Sequence, residues 1–235
     1  MNTDERGGGK IIACATVMEE LRCMGVPDST LIELDFGLHV LPEKLRDSLQ
    51  EEIDTQPGEG EIILGYGLCS NAVVGLSSQK HRLIIPRVDD CIALFLGSKK
   101  EYVRRLAEEP GTYFLTKGWI EAADLPYYEY LRLVEKYGED KAMRVVKFML
   151  AHYTRVVLIN TGNYHLDECR VTAREMAEVL GLRYEEIPGS NRMLDMMLGG
   201  DWNSEFIVVE RGDEVTLSMF LDDTGDMDAG GVSTS

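Results

Sequence analysis

The segment Glu61–Cys69, EIILGYGLC, contains the pattern that decides the fold: an apolar run followed directly by glycines and a cysteine. An apolar run of this length, bounded by glycine, predicts a buried strand. Gly65 and Gly67 lack side chains, so we expect the backbone to bend after the strand and carry Cys69 to the strand's carboxyl end. A strand followed by a chemically active residue recurs along the first half of the chain.

Three further apolar runs end in the same way. Cys14 ends Ile11–Cys14, Cys91 follows Arg82–Asp90, and His39 closes Thr30–Leu38. In open α/β sheets, ligands bind outside the carboxyl ends of the strands. Thiols and imidazoles are the ligand types that zinc and iron–sulfur clusters use. The sequence therefore predicts one shared Cys/His metal site.

Capped helices alternate with strands along the rest of the chain. Helices are predicted over 16–24, 42–53, 91–96, 98–109, 126–137, 139–153, 168–180 and 191–198, and strands over 111–119, 155–160, 182–187, 205–210 and, as a final edge strand, 215–219. This alternation predicts an α/β fold with mostly parallel sheets and flanking helices, arranged as two Rossmann-like halves that face a cleft.

The predicted domain organisation has four parts. These are a flexible N-terminal tail (1–9), an α/β half with the Cys/His site (10–122), a helical join with a second α/β half (123–220), and a disordered acidic tail (221–235). The glycine run at 7–9 precedes the first strand rather than following one, so it does not predict a phosphate loop. The aspartates, glycines, serines and threonines after residue 220 favour disorder.

Composition narrows the function classes. The chain has 235 residues, 44% of them hydrophobic, and a formal net charge of −17. Strong negative charge repels phosphate backbones, so we expect no nucleic-acid partner. We also expect no membrane partner, because no apolar run approaches the roughly 20 residues that span a bilayer. With no secretory signal, the expected compartment is the cytoplasm. Five widely spaced cysteines favour metal-binding or catalytic thiols over disulfides.

The candidate metal ligands are Cys14, His39, Cys69 and Cys91. A cysteine at a helix start lies near unpaired backbone N–H groups, which stabilise the thiolate that binds metal. The alternative is that these cysteines are buried and pack as small hydrophobic side chains. Cys23, late in the first helix, and Cys169 are assigned to packing.

Six residues are candidates for orienting the ligands or contacting a substrate. Tyr66, Arg87 and Asp90 adjoin the candidate ligands in sequence, and Trp119, Asn160 and Thr161 follow predicted strands that end at the same cleft.

Several motifs together resemble the DUF1638 family. They are Ile11–Cys14, Leu38-His39 with Pro42-Glu43, Leu64–Cys69, Ile85–Arg87 with Asp90–Ile92, Leu96–Ser98, Gly111–Tyr113 with Gly118-Trp119, and Leu194 through Gly200–Trp202 with Phe206–Val209. The resemblance extends from Lys10 to about Met219. It implies that Cys14, His39, Cys69 and Cys91 belong to the family pattern. Two positions depart from it: Ser70, where glycine is usual, and Asp89, where histidine is frequent.

The resemblance implies no defined activity, but members of this family often lie near genes for corrinoid-dependent methyl transfer. Three hypotheses follow. In the first, Zn²⁺ held by the Cys/His site activates a thiol or accepts a methyl group, as in a metal-dependent methyltransferase whose partner is a small-molecule methyl donor or acceptor or a corrinoid protein. In the second, the cysteines hold a [4Fe–4S] cluster that passes electrons to a corrinoid partner. In the third, the protein is a non-enzymatic accessory that binds a metal or a partner.

Overall fold

The computed structural model describes residues 9–221, and these form an α/β fold with a mostly parallel five-stranded sheet and a parallel three-stranded sheet. The predicted fold class is therefore confirmed. The two predicted tails, residues 1–9 and 221–235, lie outside the described residues apart from Gly9 and Leu221. Among the described residues, no helix has the length and apolar character needed to cross a membrane.

The strands are β1 Lys10–Cys14, β2 Leu31–Leu34, β3 Gly60–Gly65, β4 His81–Pro86, β5 Thr112–Leu115, β6 Arg155–Asn160, β7 Arg183–Pro188 and β8 Phe206–Val209. The first sheet has the order β2-β1-β3-β4-β8, in which only β8 is antiparallel to its neighbour. The second sheet has the order β5-β6-β7. The chain thus enters the second sheet at β5 and returns to the first at β8, while the predicted boundary at 122/123 stays a prediction.

The α-helices are α1 Ala15–Cys23, α2 Pro42–Thr55, α3 Ile92–Leu96, α4 Lys99–Glu108, α5 Lys117–Ala122, α6 Pro126–Tyr137, α7 Glu139–Met149, α8 Asp167–Leu180 and α9 Arg192–Gly199. Two helices have side-chain acceptors at their start. The Ser98 hydroxyl accepts from the Glu101 N–H at 3.1 Å at the start of α4, and Asp90 accepts from the Ile92 N–H at 2.9 Å at the start of α3. Side-chain acceptors at these positions satisfy N–H groups that have no partner inside the helix.

Three predicted element boundaries are wrong. The strand predicted over 111–119 ends at Leu115, because Thr116 caps a new helix, α5, by accepting from the Trp119 N–H at 3.1 Å. The segment 215–219 is not an edge strand: a 3₁₀-helix covers Leu217–Phe220. His39 does not follow a strand directly, since β2 ends at Leu34 and His39 lies in the 3₁₀-helix Phe36–Val40.

One hydrophobic core joins the two sheets. Phe114, Val157, Ile159 and Ile187 of the second sheet belong to the same buried cluster as the strands of the first sheet. Burial of apolar area on this scale is the main source of stability. The two sheets are therefore packed together, and elements of the second sheet approach the carboxyl ends of the first.

Candidate functional site

The three predicted cysteine ligands lie at the ends of three adjacent parallel strands, β1, β3 and β4. Cys14 is the last residue of β1. Ala13 pairs with Gly65 across the sheet, so Tyr66 leaves β3 beside Cys14. Cys91 follows β4 and directly precedes α3. Parallel strands end at one edge of a sheet, which explains why residues far apart in sequence meet here.

Backbone hydrogen bonds bring the Cys69 loop to the Cys91 loop. The Leu68 N–H donates to the Val88 carbonyl at 2.8 Å, and the Cys69 N–H donates to the Asp89 carbonyl at 2.9 Å. The loops approach so closely that a Cβ at Gly67 would lie 2.6 Å from the Val88 carbonyl oxygen. Glycine is required at 67 for this contact rather than for a bend.

The backbone bends directly after this contact. Cys69, Ser70 and Asn71 have φ values of 45°, 58° and 68°, three consecutive residues in the left-handed region. This conformation costs roughly 1–2 kcal/mol per residue with a Cβ, and less for asparagine. Glycine is the residue that adopts this conformation without strain, and none of these three positions is glycine. The strained residues include the candidate ligand Cys69, and strained backbone is common at functional sites.

Burial keeps the thiols protonated and makes them electrostatically coupled. Burial, and then repulsion by Cys14, raises the pKa of Cys69 to about 12. Burial raises the pKa of Cys91 well above its usual value, and Cys14, Asp90 and Cys69 raise it further. Burial also raises the pKa of Cys14, although the Val17 and Thr16 N–H groups at the start of α1 oppose the effect. A thiolate on Cys14 therefore raises the pKa of both Cys69 and Cys91, as expected for neighbouring thiols.

Tyr66 lies against this cluster and has an unsatisfied hydroxyl. Its side chain is 1% exposed, and the hydroxyl has no hydrogen-bond partner among the described residues. Burial raises the pKa of Tyr66, and Cys14, Cys69 and Cys91 raise it further. Native proteins pair nearly all buried polar groups, so an orphaned hydroxyl marks a position where a ligand or a deprotonated thiol would find a donor.

His39 contacts the same tyrosine through its ring. The centroids of the His39 and Tyr66 rings are 5.8 Å apart, and His39 stacks on Phe36 at 4.9 Å. His39 Nδ1 donates to the Phe36 carbonyl at 2.9 Å, which leaves Nε2 with the lone pair. Burial lowers the pKa of His39, so its imidazole is neutral at pH 7. A neutral imidazole with a defined tautomer is the form that binds metals.

Trp119 is connected to the site through Phe36. It lies in α5 rather than at a strand end, and its ring meets the edge of Phe36 at 5.1 Å. Trp119, Phe36, His39 and Tyr66 therefore form a continuous row of rings from α5 to the thiols. Phe36 was missed by the sequence prediction, since an isolated aromatic residue in a turn carries no signal of its own.

Asp90 and Arg87 differ in their hydrogen bonding. Asp90 accepts hydrogen bonds from the Ile92 N–H and, at 2.9 Å, from the Tyr102 hydroxyl. Burial raises the pKa of Asp90. The Arg87 Nε atom is buried without a hydrogen-bond partner among the described residues. Asp90 is thus fixed at the start of α3 beside Cys91, whereas the Nε–H group of Arg87 is a free hydrogen-bond donor among the described residues.

Asn160 and Thr161 belong to a separate polar network. Asn160 donates to Glu186 at 3.1 Å, and Thr161 donates to Glu20 at 2.9 Å. Glu20 is fully buried, and it also accepts from Asn163 and Tyr164. Both side chains thus have partners within the protein, and both also line an open cavity, so their role as substrate contacts stays a prediction.

Glu20 was missed by the sequence prediction, although its position in α1 contained a signal. Val17, Glu20 and Leu21 are spaced as neighbours on one helix face, and Val17 and Leu21 are buried. An acidic residue on an apolar helix face indicates a buried carboxylate that needs partners.

The two remaining cysteines differ from each other. Cys23 is exposed, so its assignment to packing is wrong: although it follows the buried Leu21 in the last turn of α1, its own side chain faces solvent. Cys169 is buried, as its assignment to packing requires. It lines a cavity of about 550 Å³ in the second half with Lys117, Glu121 and His165. A second, open cavity of about 470 Å³ lies at the ends of β6 and β7. Cys14, Cys69 and Cys91 line neither.

The side chains as they stand do not form a finished metal centre. Across residues 9–221, no three or more Cys, His, Asp or Glu side chains are arranged so that they could hold a metal ion. The donor set itself, three thiols and a neutral imidazole around an orphaned hydroxyl, has the chemistry that zinc or an iron–sulfur cluster requires. Loading would require new side-chain rotamers and loss of the thiol protons.

Fold and site together define an α/β protein with three neighbouring cysteines, Cys14 and Cys91 buried and Cys69 half-buried, at the carboxyl edge of its larger sheet. The chain belongs to the family described as "Protein of unknown function (DUF1638)", whose model matches residues 33–198. His39, Cys69 and Cys91 lie inside the matched region, and Cys14 lies before it. No curated protein and no solved structure shows significant similarity to the chain.

Proposed function

We propose that this protein binds a thiophilic metal through Cys14, Cys69, Cys91 and His39, with zinc as the first candidate and a [4Fe–4S] cluster as the alternative. The proposal is supported by the position of the three cysteines after the adjacent strands β1, β3 and β4, and by their electrostatic effect on the buried Tyr66 hydroxyl, which lacks a partner. Buried cysteines that serve only for packing have no need of an unpaired hydroxyl among them.

Each residue has a separate role in this proposal. The start of α1 presents the Thr16 and Val17 N–H groups to Cys14, which favours its thiolate. The Phe36 carbonyl holds the tautomer of His39 and frees Nε2. Tyr66 donates to a sulfur once that sulfur has lost its proton. Asp90, held by Ile92 and Tyr102, orients the segment that carries Cys91. A bound zinc ion would supply thiolate sulfur at neutral pH.

Protons are the main obstacle to metal binding. Burial raises the pKa of all three thiols, so the metal-free site holds protonated sulfur at pH 7. Metal must displace these protons, and apparent affinity should rise with pH. This requirement also protects the free thiols from oxidation, since the thiolate is the reactive form.

Anaerobic purification followed by elemental analysis tests the proposal. We expect about one zinc per chain, or about four irons with a brown colour and absorbance near 400 nm. Cys69→Ser and Cys91→Ser should each lower the metal content. Cys23→Ser is the matched control, because Cys23 is exposed. Equal metal content in wild type and in both site variants would contradict the proposal, and the packing role of the thiols would then be correct.

The proposed setting is cytoplasmic one-carbon metabolism, with a corrinoid protein or a small methyl donor as partner. It is supported by the family resemblance and by the thiols, since a zinc-bound thiolate is a competent methyl acceptor. Incubation of metal-loaded protein with a methylated corrinoid, followed by mass spectrometry, would detect methyl transfer to a cysteine. Absence of transfer in loaded protein would favour the redox or accessory roles.

A further inference from the structure

Arg87 has a half-buried guanidinium group without a partner. Its Nε atom is buried and makes no hydrogen bond, and no carboxylate of residues 9–221 forms an ion pair with it. The chain has 41 acidic and only 24 basic residues, so acceptors for an arginine are abundant. Burial of an unpaired charge costs free energy, and this arginine therefore indicates a place where a ligand supplies the partner.

The register of the first sheet places Arg87 in a row with Tyr66 and Cys14. The pairing of β1 with β3, continued by one residue, sets Cys14 beside Tyr66, and the pairing of β3 with β4 sets Tyr66 beside Arg87. The hydrogen bond from the Leu68 N–H to the Val88 carbonyl keeps the second register beyond the strand ends. In-register neighbours on parallel strands lie about 4.8 Å apart and point to the same face. The thiol, the unpaired hydroxyl and the guanidinium therefore share one face of the sheet edge.

The carboxylates around Arg87 do not neutralise it. Glu205 lies opposite Arg87 on β8, but Arg192 holds its carboxylate with two hydrogen bonds of 2.8 and 2.6 Å. Asp90 already accepts two hydrogen bonds, and Asp89 is exposed and makes no ion pair with Arg87. Within residues 9–221, the guanidinium is thus left for a ligand.

We propose that Arg87 and Tyr66 bind the carboxylate group of a small-molecule substrate beside the thiols. This assignment rests on the proposed function, because it names the class of substrate that meets the thiols. A planar guanidinium donates two parallel hydrogen bonds to a carboxylate, and the Tyr66 hydroxyl donates a third. One guanidinium charge balances one carboxylate charge, whereas a phosphate dianion would retain a negative charge that a chain of net charge −17 disfavours.

Titration of the metal-free and the zinc-loaded protein with acetate, at constant ionic strength, tests the assignment. The NMR signal of the Arg87 Nε–H group should shift on addition of acetate, because that buried donor gains an acceptor. Acetamide matches acetate in size but carries no charge, and it should not bind. Inorganic phosphate should bind more weakly than acetate.

Variants show which side chains hold the carboxylate, with dissociation constants measured from the amide signals of Gly67 and Val88. Arg87→Met should weaken acetate binding about 10-fold or more, since hydrogen bonds to a charged group are lost. Tyr66→Phe should weaken it about 3-fold, and Arg87→Lys should retain only part of the affinity, because an ammonium lacks the planar fork. Arg144→Met is the matched control: it removes another unpaired arginine, on α7, and should bind acetate as wild type does.

Four results overturn the assignment: no acetate binding by wild type, equal weakening by Arg87→Met and Arg144→Met, acetamide binding as tight as that of acetate, or tighter binding of phosphate. Failure of the proposed function gives a different result. Zinc would then be absent from the loaded protein while acetate still shifts the Arg87 signal, which supports the carboxylate site and contradicts the metal.

Discussion

The two sheets carry opposite kinds of chemistry at their carboxyl edges. At the first sheet, soft thiols meet a buried Tyr66 hydroxyl without a partner. At the second, Thr161, Asn163 and Tyr164 all donate to the buried Glu20 carboxylate. One helix, α1, joins them, because Cys14 precedes it and Glu20 lies in its second half. The difference teaches that a satisfied buried network is structural, whereas an unsatisfied one is a place for a ligand.

The largest effect should come from breaking the satisfied network. Glu20→Ala removes the acceptor of three half-buried donors, Thr161, Asn163 and Tyr164, and each such loss costs about 1 kcal/mol, the lower end of the range for buried groups. We expect unfolding free energy to fall by about 3 kcal/mol or more, with a drop in Tm of roughly 6–12 °C for a domain of this size.

Tyr66→Phe is the contrasting variant. Removal of a hydroxyl that has no partner should leave the stability of the metal-free protein unchanged or slightly raised. Thermal unfolding of both variants checks the comparison. A Tyr66→Phe protein as unstable as Glu20→Ala would show that the Tyr66 hydroxyl is in fact paired.

Metal removal should have the next largest effect. A ligand that binds only the folded state stabilises by about 2.7 kcal/mol when its free concentration is 100 times Kd. Chelation should therefore lower the Tm of wild type and of Cys23→Ser alike, while a Cys69→Ser protein should no longer respond. A chelator response that persists in Cys69→Ser would place the bound metal elsewhere.

Alkaline pH should weaken the metal-free protein. The pKa of Cys69 is raised from 9.0 to about 12 in the folded state, so between these values the unfolded chain releases a proton that the folded chain retains. The unfolded state then binds fewer protons, and stability falls with rising pH, by at most about 1.4 kcal/mol per pH unit for one such thiol. Below pH 9 this contribution is constant.

Denaturant titrations between pH 8 and about 11 measure how steeply the unfolding free energy falls with pH. This range begins below the pKa of the unfolded thiol, 9.0, and covers most of the interval up to its folded value of about 12. Cys69→Ser should show a shallower decline than wild type, and Cys23→Ser should match wild type. Identical slopes in wild type and Cys69→Ser would mean that the Cys69 thiol is solvated in the folded state.

The smallest effect concerns the strained turn. Ser70→Gly relieves a left-handed residue that costs about 1–2 kcal/mol, but it frees the unfolded chain by about 0.4–1 kcal/mol. A net gain of about 0.5 kcal/mol is expected in denaturant midpoint measurements. Asn71→Gly is the control and should gain less, since asparagine tolerates this conformation. A clear loss on Ser70→Gly would mean that the serine side chain has a contact of its own.

Local pattern was enough to predict most of the elements. The helix at 126–137 was predicted with its observed bounds, and so was the strand at 155–160. Failures fell where a tertiary contact or a cap overrode the pattern. Trp119 was expected at a strand end, but the Thr116 cap starts a helix there. Cys23 was expected to pack, but its side chain is exposed in the last turn of α1.

The candidate site could be predicted only in part, because some of its contacts join residues that are far apart in the chain. Cysteines after apolar runs can be found by inspection, because parallel strands end at one edge. The partner of Thr161 could not, since Glu20 lies about 140 residues away along the chain and meets it only when the core closes.

The sequence by itself determined the α/β class and showed that Cys14, Cys69 and Cys91 follow successive predicted strands. These conclusions depend only on local periodicity and on which side chains are present. The tertiary structure alone decided that β5 joins the second sheet and β8 the first, that Tyr66 is orphaned among the thiols, and that Glu20 is satisfied. Those outcomes depend on which strands pair and which polar groups meet when the core closes, and no local pattern records a contact between distant segments.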